Sequence, residues 1–72
     1  MADCKIVETN PAFFSLSSLP PDWQHKKVSV QNASRRCGVL VKNMTTGVFM
    51  IFDGSSFCGI DQKFAKNVWE KH

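Results

Sequence analysis

A chain of 72 residues can build one hydrophobic core and no more, because two cores of that size could not each offset the entropy of ordering the chain. Its 43% hydrophobic content, with six Phe and two Trp, excludes the low-hydrophobicity regime of disordered chains, and no run approaches the roughly 18 apolar residues of a membrane span. The net charge of +3 is unevenly laid: from Trp23 to Phe52 there is no Asp or Glu, while Lys26, Lys27, Arg35, Arg36 and Lys42 make that stretch +5 and the remainder −2.

The first residues, MADCKIVETN, carry an acid at position 3 and no apolar core of a leader, so no signal peptide is expected. Ile6-Val7 could add an edge strand or stay loose. Asn10-Pro11 reads as an N-cap and first helical position, followed by a short apolar turn through Ala12, Phe13, Phe14 and Leu16. The run Leu19-Pro20-Pro21-Asp22 breaks the chain, since each proline fixes its own φ and disfavours helix in the residue before it. It divides an N-terminal arm, residues 1–19, from a single α+β domain, residues 20–72.

Beyond the prolines, a turn of helix over Pro21 to His25 and a strand from Lys27 to Gln31 are expected, although Trp23, Val30, Ala33 and Cys37 also fall near one helical face. From Gly38 the pattern is firmer. Val39-Leu40-Val41 and Val48 to Phe52 are strand segments joined by a turn at Asn43–Gly47, which together predict a β-hairpin over 38–52. Asp53–Ser56 makes the next turn, and Phe57 to Ile60 is a short third strand. Asp61 is placed to cap a helix from Gln62 to about Lys71, in which Ile60, Phe64 and Val68, and separately Ala65 and Trp69, recur every four residues. The expected fold is therefore α+β, an antiparallel sheet of two to four strands with one C-terminal helix packed on it. The expected core comprises Phe49, Ile51, Ile60, Phe64 and Val68.

One strand carries a further implication. Val48 to Phe52 is apolar at every position, and alternate side chains of a strand point to opposite faces, so both faces of the sheet need cover. One helix supplies only one. The second face is left to the arm with Phe13, Phe14 and Leu16, to a second copy in a homodimer through the sheet, or to a partner protein.

The acid-free stretch is the main functional signal. A one-sided basic surface attracts anionic partners over distances at which interspersed charges would cancel. Lys26-Lys27, Arg35-Arg36 and Lys42 with Trp23, a candidate exposed anchor, form the expected binding set for a macromolecular partner. That partner is a protein or, as the alternative, nucleic acid. The order of hairpin, third strand and packed C-terminal helix is similar to that of small domains that lay a three-stranded sheet on DNA, such as the amino-terminal domains of some integrases. Those domains carry several Arg and Trp on the exposed sheet face, where this hairpin offers Lys42 alone.

Chemistry is weakly signalled. Cys37 or Cys58 with His25, or Ser55 and Ser56 with His25 and Asp53, would supply the atoms of a nucleophile and base, but no nucleophile elbow, phosphate loop or carboxylate pair accompanies them. Cys4, His25, Cys37, Cys58 and His72 are spaced far more widely than the paired ligands of structural zinc sites. The expectation is a small, non-catalytic, cytoplasmic interaction protein of bacterial or phage type, with no metal, no cofactor and no catalytic residue. Purified protein should show three free thiols by titration and no zinc by elemental measurement; stoichiometric zinc, or unfolding on addition of a chelator, would contradict this.

Overall fold

The computed structural model describes residues 4–7 and 16–72. Five strands, β1 (Lys5–Ile6), β2 (Trp23–Gln31), β3 (Cys37–Asn43), β4 (Phe49–Phe52) and β5 (Phe57–Gly59), precede one helix, α1 (Gln62–Lys71). The strands form a single antiparallel meander in the order β1-β2-β3-β4-β5. The α+β class is as expected, and the sheet is larger than the two to four strands anticipated. The arm supplies the extra strand, with Lys5 opposite Gln31 and Ile6 opposite Val30.

The expected helical turn over Pro21 to His25 is replaced by strand. Trp23, Gln24 and His25 pair with Asn43, Lys42 and Val41, so β2 begins as soon as the prolines end. Between His25 and Ser29 the register shifts, four steps of β2 passing against two of β3, and Lys27 lies at the bulge with φ +55°. This left-handed geometry is costly for a side chain with a Cβ, and nothing in the composition around Lys27 announces it.

The β3–β4 hairpin follows its turn chemistry. Asn43 Oδ1 accepts from Thr45 N at 2.8 Å and Thr46 N at 2.9 Å, and Gly47 supplies φ +80°. Val48 falls outside β4 and is 43% exposed, so the fully apolar run narrows to Phe49–Phe52. Register puts Leu40 opposite Ile51 on the face that α1 covers, and Val39 opposite Phe52 on the other. The helix-side core joins Val28, Val30, Leu40, Phe49, Ile51, Ile60, Ala65 and Val68. Ala65 is its fully buried helical residue, while Phe64 is only half-buried at the margin, a correction to the expected core.

The second face is closed within the single chain. Val39 and Val41 are 0% exposed there and Phe52 is 3% exposed. Trp23 and Phe52 both pack on Phe57, each with centroids 4.7 Å apart, and Leu16 and Leu19 are half-buried. Phe13 and Phe14, assigned to this role from sequence, lie outside the described residues. A second copy is not needed to bury this face, and no bare three-stranded surface is left to lie on DNA in the manner of the integrase domains.

Two features set the helix in place. Asp61 caps it by accepting from Phe64 N at 3.2 Å. Gln62 does more: its Oε1 accepts from Phe49 N at 2.8 Å, and its Nε2 donates to Phe49 O at 2.8 Å and to Ile60 O at 3.0 Å. The side-chain amide therefore occupies the place that the next residue pair of the β4–β5 ladder would take. At the opposite end, Asn32 accepts from Arg36 N at 2.9 Å and donates to Gly59 O at 2.7 Å, which ties the β2–β3 turn to the end of β5 and curls the sheet.

Replacing Gln62 with Ala strands both backbone groups of Phe49 and should cost about 1–3 kcal/mol. On a domain of this size each kcal/mol lowers the melting temperature by about 4–8 °C; an unchanged melting curve would show that water replaces the amide without loss. Asp53 gives a second test. Its carboxylate accepts from Ser55 N, Ser56 N and the Ser55 hydroxyl, and these bonds, the Ser55 backbone first, lower its pKa to about 2. The folded value lies below the unfolded one, so this stabilisation is present above pH about 4 and is lost as pH falls through about 2. Asp53→Asn should flatten the decline in stability across that window.

Candidate functional site

The basic residues separate into two groups, set at the two ends of α1. At its C-terminal end, Lys26 of β2 places Nζ 5.1 Å from the centroid of Trp69. Lys42 of β3 places Nζ 5.9 Å from the same ring and 5.5 Å from that of Phe49. Phe49 and Trp69 meet edge to face, with centroids 5.7 Å apart. A hollow of about 320 Å³ opens beside them, lined by Lys42, Gly47, Phe49, Lys66, Trp69 and Glu70.

The geometry follows from the pairing pattern. Gln24 lies opposite Lys42 and Lys42 opposite Phe49, so three adjoining strands present this row on the helix side. Lys66 is three residues before Trp69 on α1, which puts the two on one helical face. Each ammonium over a ring face gains about 0.5–1 kcal/mol at an exposed site, enough to bias the lysine towards the ring and too little to hold it there against an anion.

Arg35 and Arg36 lie elsewhere. They are exposed in the β2–β3 turn, where Arg35 takes φ +63°, beside a shallow hollow of about 170 Å³ lined in part by Asn32, Ala33, Ser34 and Asp61. Asp61 begins the helix whose far end carries Trp69, so about 12 Å of helix stands between the two groups. Lys27 is exposed on the bulge. Lys26 and Lys42 are brought together and the arginines are not, so the five cations form two separate patches. None of the described Lys or Arg side chains is in an ion pair.

Trp23 is half-buried against Phe57 on the sheet face away from α1, so it does not adjoin Lys26 and Lys42 as its position beside the basic run suggests. The aromatic residue that does adjoin the lysines is Trp69, read from its fourfold spacing as part of the core stripe. The stripe is real, and Trp69 packs against the core margin, yet its ring edges the hollow. No sequence signal marked Lys66 for this site, because its partners come from β3 and β4.

The remaining chemistry-bearing groups are dispersed. His25 lines a hollow of about 300 Å³ with Leu19, Trp23 and Gln24, and its Nδ1 is buried without a hydrogen-bond partner. Cys4, Cys37 and Cys58 are half-buried free thiols; Cys4 and Cys58 pack against the helix-side core, and Cys37 lies opposite Gln31 at the start of β3. Among the described residues no three of His, Cys, Asp and Glu are grouped so as to hold a metal ion, and no helix is long and apolar enough to cross a membrane.

Comparison of the chain with protein-family models, with curated proteins and with solved structures finds no match.

Proposed function

We propose that this is a non-catalytic binding protein for an anionic macromolecule, and that the contact is made by the side of the molecule where β2 and β3 meet the C-terminal end of α1. The observation that supports this reading is the cluster of Lys26, Lys42 and Lys66 around Trp69 and its hollow, with no carboxylate among the described residues ion-paired to any of the three. Three cations outnumber the one carboxylate of the hollow, Glu70, and leave a net attraction for an incoming anion, while an adjacent half-buried aromatic supplies the contact area that charge alone lacks. Arg35 and Arg36, at the far end of α1, add to the long-range attraction without joining the contact.

A non-catalytic role is supported by the separation of the nucleophilic and basic groups: Cys37 shares the sheet face of His25 but lies four residues along β3 from Val41, the partner of His25, and Cys4 and Cys58 lie on the helix side.

Retention on an immobilised polyanion tests the reading. Three double variants change the net charge equally: Lys26→Glu with Lys42→Glu, Arg35→Glu with Arg36→Glu, and Lys5→Glu with Lys63→Glu. The first pair should elute at clearly lower salt than the other two, because a local contact loses more than the field does. Equal shifts for all three would mean that only net charge is being read and would overturn the proposal.

A further inference from the structure

We infer that the hollow beside Trp69 takes single-stranded nucleic acid, with a base on the indole and the neighbouring phosphates on Lys26, Lys42 and Lys66. This deepens the reading just given and rests on it. The argument starts from what the lysines now contact. Lys26 and Lys42 direct their ammonium groups at aromatic faces, with Lys26 on Trp69 and Lys42 on both Phe49 and Trp69. An ammonium seated on a ring is a cation with no counter-charge, on a π-face with no stacking partner. A nucleotide satisfies both at once: its base replaces the ammonium on the ring, and its phosphate receives the ammonium that the base displaces.

An acidic peptide offers only half of this exchange. Its carboxylates could draw the lysines away, but nothing in them would replace the cation on the indole, and the ring would be left bare beside the hollow. A duplex hides its base faces within the stack and offers phosphates alone. A single strand presents unstacked bases and phosphates in alternation, and the surface presents aromatics and lysines side by side: Trp69 with Lys66 on α1, Lys42 on β3 and Lys26 on β2. Glu70 also lines the hollow. It repels phosphate on the helix side, where Lys66 offsets it, so that Lys26 and Lys42 are the principal phosphate contacts, and it can accept a hydrogen bond from a base N–H.

The test uses the full-length chain and the indole N–H resonances of its two tryptophans, which nuclear magnetic resonance reads separately once Trp69→Phe has assigned them. The probes are oligothymidylate and oligouridylate of about 12 nucleotides, a length within the range bound by small single-strand modules. A duplex of similar length and an oligoglutamate peptide serve as comparators. The single strands should shift the Trp69 indole and the amides of Lys26, Lys42 and Lys66 while leaving the Trp23 indole in place. Affinity should fall steeply between about 50 and 200 mM salt. Lys42→Glu should weaken binding about tenfold and flatten that salt dependence, with the rest of the spectrum unchanged.

Oligoglutamate moving the same resonances where the single strands do not would overturn the inference while leaving the anion-binding reading intact. Duplex binding as tight as single-strand binding, with the Trp69 indole unmoved, would do the same, since phosphate contact without stacking would then suffice. If none of the four probes shifts these resonances at low salt, both the inference and the reading beneath it fail.

Discussion

The side-chain amide of Gln62 pairs with the backbone of Phe49 as a strand would, and the rest of the arrangement depends on that substitution. A β5 that continued alongside β4 would leave no chain free to turn over the core. By satisfying both polar groups of Phe49 from a side chain, Gln62 lets the backbone leave the ladder one residue pair early and enter a helix capped by Asp61. The helix then runs back across β4, buries Ala65 and Val68, and delivers Trp69 to Phe49, Lys26 and Lys42. The candidate site is thus a consequence of where the sheet is made to stop.

Local chemistry made some of this legible in the sequence, and non-local pairing hid the rest. Asn43–Gly47, Asp53–Ser56 and Asp61 are stretches whose side chains satisfy their own neighbouring backbone, and the hairpin, the second turn and the helix start all fall where those residues put them. Trp23 to His25 misled because the adjacent prolines suggested a turn of helix, while the decisive influence was β3, some twenty positions away, offering Val41, Lys42 and Asn43 as partners. The bulge at Lys27 and the left-handed Arg35 carry no glycine or asparagine to betray them. Two of the four residues in the basic pairs thus sit in backbone geometry that their side chains disfavour.

The charge pattern was visible while its meaning in space was not. Five cations within an acid-free stretch suggest one basic face, yet Lys26 within β2 meets the C-terminal end of α1, and the turn that follows β2 lies beside Asp61 at its N-terminal end. Proximity therefore favours a residue outside the stretch, Lys66, over Arg35 and Arg36. The same geometry exchanges the tryptophans. Trp23, adjacent in sequence to the basic run, faces the other side of the sheet, and Trp69, far away in sequence, adjoins the lysines.

Gly38 of β3 faces Ile51 and the backbone of Phe52 with no room for a side chain. A Cβ there would meet Ile51 Cγ2 and would stand 2.8 Å from the Phe52 carbonyl oxygen. Trimming Ile51 would relieve the first contact and leave the second, which is backbone and cannot be trimmed. The position therefore has no compensating partner: a substitution elsewhere can rescue a lysine or reshape a turn, but none can make room for a side chain here. Position 38 is thus confined to glycine by a backbone atom, whatever side chains are chosen around it.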